Sequence, residues 1–263
     1  MAGAQPQAWS RRRLWVLLAG VCVVGLALLV GLGFAIRTAV VHATRTITPA
    51  AATRPVEGRV DRDALLAEPM LQVAPADALG GTPAVEPASA LTVPNSTRTG
   101  PARVVTGFPR TPAGAVGQLA AIEQTVLSEM DVARAGEVHR AWVVPGAVPV
   151  DQWPLVRHVQ SFLGSAGMTG RLEAGARVTV DPVAGQVKGT DGPDWVVACV
   201  LVDVRALVRV ESRMAYGYCE AMAWREGRWM VTSPRPAAVA PSTWPGTELA
   251  ARAGWRTWHV AGE

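Results

Sequence analysis

The chain has 263 residues, 49% apolar and 17% charged, with 20 Pro, 26 Gly, 10 Trp and 3 Cys. That length suffices for one ordinary domain with additional segments, and three cysteines are too few for a fold built on disulfides. The formal net charge of +4 is unevenly placed: residues 1–45 carry five Arg and no acid, leaving 20 bases against 21 acids in the rest. The positive excess therefore flanks one apolar segment and coats no domain, which removes the main ground for direct nucleic-acid binding.

From Leu14 to Ile36 the sequence LWVLLAGVCVVGLALLVGLGFAI carries no charge, and at roughly 1.5 Å per residue it makes about 34 Å of helix, enough to span a bilayer. A secretory signal peptide is the alternative, with Val41-His42-Ala43 as its passable cleavage site. Its apolar stretch would usually be only about 7–15 residues. Arg11, Arg12 and Arg13 precede the segment while Arg37 and Arg45 follow it. That balance favours a cytoplasmic stub over residues 1–13, a transmembrane helix over 14–36 and the bulk of the chain outside, as a single-pass protein of the cell membrane. Ala27, Gly31 and Ala35 recur at i, i+4 and i+8. They either form a packing face for another helix or reflect the ordinary frequency of small residues in membrane helices.

Ten of the twenty prolines fall between Thr46 and Pro112, a density that no long helix or strand survives. Residues 37–106 are therefore predicted to be a Pro- and Ala-rich, semi-extended stalk. Within it, Asp63 to Leu71 has apolar spacing for about two helical turns, broken by Pro69.

A domain is predicted over residues 107–263. Thr111-Pro112 starts a helix to about Met130, with Val116, Leu119, Ala120, Ile122, Val126 and Leu127 at helical spacing. A second helix is expected from Val132 to about Trp142, and a third, capped by Asp151, carries Leu155, Val156, Val159, Phe162 and Leu163 to the core. Beyond Gly175 the period changes to two. A short hairpin is expected from Arg177–Val180 and Gln186–Lys188, then strands over Trp195 to about Val210 and Met214 to Trp224, and a turn at Arg225-Glu226-Gly227-Arg228 into Trp229–Thr232. The expected fold is α+β: about three helices packed on a curved, four- to five-stranded antiparallel sheet. A Trp-rich tail follows, with a short helix ending near Ala253.

Chemical motifs are sparse. His42, His139, His158 and His259 show no metal-ligand spacing, and the glycines at 185, 189 and 192 precede no helix that could receive a phosphate. No catalytic, cofactor-binding or metal residue is assigned, and the chain is read as a non-enzyme without cofactors. Were the domain an enzyme, Asp203, Tyr216, Tyr218 and His158 would be its best groups. Against this, Asp203 alternates with valines and can face water, the tyrosines suit cross-strand packing, and His158 shares a helix with Arg157. Cys199 and Cys219 lie on consecutive predicted strands and face each other if the hairpin centres near Arg209, as a disulfide or as two buried thiols. Trp244, Trp255 and Trp258 in the tail either wrap back over the domain or anchor a partner.

Three helices followed by a meander closing on AMAWREGRWMVTSP (Ala221 to Pro234) resemble the nuclear transport factor 2-like cone superfamily. The order of short N-terminus, membrane helix, linker and cone resembles the inner-membrane scaffold subunits of type IV secretion and conjugation machines, including TcpC-like proteins. The segments GFPRTPAGAVGQLAAIE (Gly107 to Glu123), QVKGTDGPDWVVACVLVDVRA (Gln186 to Ala206) and PSTWPGTELAARAGWRTW (Pro241 to Trp258) resemble uncharacterised membrane proteins of high-G+C Gram-positive bacteria associated with mobile elements. The resemblance implies a scaffold that helps assemble a conjugation or type IV secretion-like channel, with other channel subunits and further copies of the chain as partners. The alternative it leaves open is a membrane-tethered cone that binds a small molecule or acts as an isomerase. A pocket lined by Met214, Tyr216, Met222 or Trp224 with an inward acid would favour that alternative.

Overall fold

In the computed structural model, the structure describes residues 60–262. The predicted span at 14–36, with Ala27, Gly31 and Ala35, lies outside the described residues, and no helix among those described is long and apolar enough to cross a membrane.

Helix α1 (Arg62–Ala67) is capped by Asp61, whose side chain accepts from the Ala64 N–H. Strand β1 (Ala90–Val93) and the small ribbon of β2 (Arg98–Thr99) and β3 (Val105–Thr106) follow. The helical layer is α2 (Pro112–Glu129), α3 (Val132–Trp142) and α4 (Pro154–Ser165). Thr111 caps α2 through the Gly114 N–H and Asp131 caps α3 through the Arg134 N–H. These side-chain acceptors satisfy amide groups that have no partner within the helix, so a helix starts at each. The third helix is not capped by Asp151 as expected. It begins at Pro154, after Trp153, because proline already has the helical φ and no amide hydrogen to satisfy.

Four strands form the meander: β4 (Arg177–Thr190), β5 (Trp195–Leu207), β6 (Glu211–Arg225) and β7 (Arg228–Val231). A short helix α5 (Glu248–Arg252) leads into β8 (Arg256–Val260). The sheet has six strands in the order β1-β8-β4-β5-β6-β7, antiparallel except for the parallel pair β1 and β8. The α+β class thus stands, with the sheet extended by β1 and β8. The hairpin expected inside 177–188 is absent. That stretch is one strand, and Pro182 sits where its register against β5 shifts, between Pro182 and Ala184, a bulge that spares the missing N–H. The β6–β7 turn has Glu226 and Gly227 at φ 50° and 75°, the left-handed pair that a tight hairpin needs.

The sheet is covered on both faces. Toward α2–α4 point Val196, Ala198, Val200 and Val202 of β5, with Tyr218 and Met222 of β6. The alternate residues Trp195, Val197, Cys199 and Leu201 join Ala215, Cys219, Ala221 and Ala223 on the opposite face. That face is covered by the tail through Ala240, Ala250 and Trp255, and by α1 through Leu66. Double burial explains the unbroken apolar run of β5.

This arrangement corrects the stalk expected to residue 106. From Asp61 onward the chain lies on the domain. The Ala238 N–H donates to Leu66 O at 3.0 Å, the Trp244 N–H to Asp77 O at 2.7 Å, and Lys188 Nζ to Leu66 O at 3.1 Å. The prolines do not prevent this because two of them open short turns: Pro75 begins a single turn of 3-10 helix, Pro75–Ala78, and Pro101 a tight turn in which Ala102 and Arg103 are left-handed, at φ 50° and 51°. Between them Leu66, Ala78, Leu91, Val93 and Val104 supply the buried contacts.

Candidate functional site

Helix α2 is buried nearly all round, because Ala115, Gly117, Ala120 and Ala121 let neighbouring elements approach closely. A Cβ at Gly117 would meet Phe108 at 2.7 Å and Val93 at 2.9 Å. Glu123 belongs to this helix and is 0% exposed, with neither carboxylate oxygen partnered. A second carboxyl, Glu220 of β6, is 1% exposed. Its Oε1 accepts from Trp153 Nε1 at 3.2 Å and from the Tyr218 hydroxyl, whereas Oε2 has no protein partner.

The two acids bracket a pair of tyrosines. The rings of Tyr216 and Tyr218 stack with centroids 6.3 Å apart, and the Tyr216 hydroxyl shares a 2.7 Å hydrogen bond with His158 Nδ1 of α4. Burial disfavours each charged form. It pushes Glu123 well above the usual carboxyl range. Glu220 rises to about 7, held back by its bonds from Tyr218 and Trp153. The Tyr216 and Tyr218 phenols also lie well above their usual value, first through burial and then through the nearby Glu123 and Glu220 carboxyls. The His158 imidazole keeps one side exposed, and the burial of the rest of its ring against the sheet lowers it from its usual value. Each of these groups thus favours its uncharged form more than it would in water, and Glu220, at about 7, is poised between its two forms near neutral pH.

His158 and Tyr216 line a cavity of about 290 Å³ whose other walls are Leu127, Met130, Phe162, Val204 and Met214, with Ser161 and Ser165 at its edge. Of the pocket residues expected from sequence, Met214 and Tyr216 line it. Met222 is fully buried in the core below, and Trp224 packs edge-on against Trp229.

The other predicted residues lie elsewhere. Asp203 does not face water: it is 3% exposed, on the opposite face of the sheet from the tyrosines, held by Arg213 at 2.6 Å and Arg205 at 3.1 Å. Those guanidiniums, Arg213 first, keep its carboxyl below the usual range. Cys199 and Cys219 are direct partners in a hairpin that closes around Arg209, between Leu207 and Glu211, and they are joined as a disulfide. In the tail, Trp255 is buried and donates to Pro241 O at 2.9 Å. Trp244 lies under the Arg213 guanidinium at 4.7 Å, and Trp258 packs on the main core from β8. Among the described residues no group of His, Cys, Asp and Glu has the arrangement of a metal site.

Sequence reasoning missed Glu123, Glu220 and Trp153. Two signals pointed to the acids. Glu220 falls in the period-two series Tyr216, Tyr218, Glu220, Met222, and Glu123 falls in the helical stripe between Leu119–Ala120 and Val126–Leu127.

No family model matches the chain, and no curated protein or solved structure matches it either. The resemblance to the cone superfamily and to conjugation scaffolds therefore stands on sequence alone.

Proposed function

We propose that the chain is a non-enzymatic, single-pass membrane protein whose extracytoplasmic domain is a scaffold within a conjugation or type IV secretion-like channel. The observation that carries this reading is the pairing of an apolar, Arg-flanked segment at Leu14–Ile36 with a disulfide between Cys199 and Cys219 in the folded domain. Disulfides persist in oxidising compartments, outside the reducing cytoplasm, the side to which the flanking arginines assign the domain. The outer layer formed by the residues around α1 and by the tail carries Leu79, Val85 and Val239 largely exposed, apolar contacts suited to neighbouring subunits. Ala27, Gly31 and Ala35 would serve self-association within the bilayer.

In a host that transfers its mobile element, deletion of the gene is expected to abolish transfer and the full chain to restore it. Photo-crosslinkers at Val85 and Val239 are expected to trap identified channel subunits or a second copy. Protease added to intact protoplasts should digest the domain. Undiminished transfer in the deletion strain, or a protected domain, overturns the proposal.

A further inference from the structure

The cavity beside His158 and Tyr216 combines three features of a binding site. Its walls are apolar, supplied by α2, α4, β5 and β6. Its volume of about 290 Å³ lies just under the lower bound of the roughly 300–1,000 Å³ range of ligand clefts, a size for a one- or two-ring molecule. Its polar content converges at one place. Neutral histidine and tyrosine together own two N–H or O–H donors and spend one on their mutual 2.7 Å bond, so either tautomer leaves one donor and the matching acceptor free.

Charge narrows the class of ligand. None of the residues lining the cavity is a lysine or arginine, so no fixed positive charge there compensates the desolvation of an anion. Behind the tyrosines, Glu123 and Glu220 are buried with three of their four carboxyl oxygens unpartnered, and any negative charge they acquire repels another. A purely structural core would be served as well by leucine and glutamine at these positions, because an unpartnered buried carboxyl costs free energy.

We infer that this cavity binds a neutral, flat, largely apolar molecule through one hydroxyl or carbonyl group that hydrogen-bonds with the Tyr216–His158 pair. The site is separate from the scaffold role and stands or falls without it.

The probe is 2-naphthol, with 2-naphthoate as its anionic counterpart. Each is titrated calorimetrically into the full chain reconstituted in phosphatidylcholine nanodiscs, with empty discs subtracted. 2-Naphthol is expected to saturate one site per chain and to bind at least tenfold more tightly than 2-naphthoate. Met214→Trp fills the cavity from the sheet and Ser161→Trp from the helix. Both residues are exposed, so the fold tolerates at least one of the changes, and each folded variant should lose tenfold or more in affinity. Tyr216→Phe should lose severalfold. Absence of saturable 2-naphthol binding overturns the inference, as does equal or tighter binding of 2-naphthoate. Unchanged affinity in a folded Trp variant or in Tyr216→Phe does the same.

Discussion

A carboxylic acid held at pKa about 7 inside a core makes stability depend on pH in a direction opposite to that of most acids. The ordinary value for Glu220 is 4.5, and burial raises it in the folded chain. Below pH 4.5 both states hold the proton and the contribution is fully present. As pH rises from 4.5 to 7 the unfolded chain releases its proton first, so stability falls, levelling off above pH 7. A shift of this size corresponds to about 3 kcal/mol. Glu123, also raised by burial, acts with the same sign. The melting temperature of the full chain is therefore expected to fall between pH 5 and pH 8, and Glu220→Gln, which mimics the neutral acid, should flatten that slope. A slope equal to the parent's would show that Glu220 does not titrate in this window. These acids were legible only as a pattern. Their positions match the inward series of β6 and the core stripe of α2, yet acids usually face water. Only the packing of α2 between the sheet and its neighbours removes solvent from every side.

At the level of single elements, the strongest cross-strand connection in the sheet is the disulfide between β5 and β6. It closes a loop with a sequence separation of 20, and such a bridge contributes typically about 2–4 kcal/mol. Cys199→Ala with Cys219→Ala is expected to lower the denaturation midpoint accordingly. Adding reductant should lower the parent's midpoint and leave the double variant unmoved. The pairing was readable because Leu207 and Glu211 close the hairpin symmetrically around Arg209. The starts of α2 and α3 were readable from Thr111 and Asp131, whose side chains cap locally. Pro182 misled, since proline marks a turn or a bulge equally well and only its place in the sheet decides. β8 gave no signal of its own: Arg256 to Val260 lacks clean alternation, and its partner β1 lies in the Pro-rich stretch.

At the scale of the whole molecule, the domain is a sheet between two covers, one helical and one assembled from both ends of the described chain. Proline density spoke correctly against long elements in residues 60–106. It could not report adhesion to a sheet face, which needs only an apolar residue every few positions. Leu66, 5% exposed beside Trp195 and Val197, is the main apolar contact of α1 with that face. Leu66→Ala is expected to cost about 2 kcal/mol in urea denaturation of the full chain and to expose Trp195, read as a red shift of fluorescence. An unmoved midpoint would mean that the first helix adds nothing to the fold.

The pairing of β1 with β8 also sets a timetable. Ala90 of β1 pairs with Thr257 of β8, and just beyond the strands Asn95 donates to the carbonyl of Ala261, 166 positions later, so β1 waits for β8 to be made before it finds its neighbour. Until then the apolar residues on the back of β5 and β6 have no lid from the tail, and the newborn domain is at its most adhesive after β6 has emerged and before β8 has.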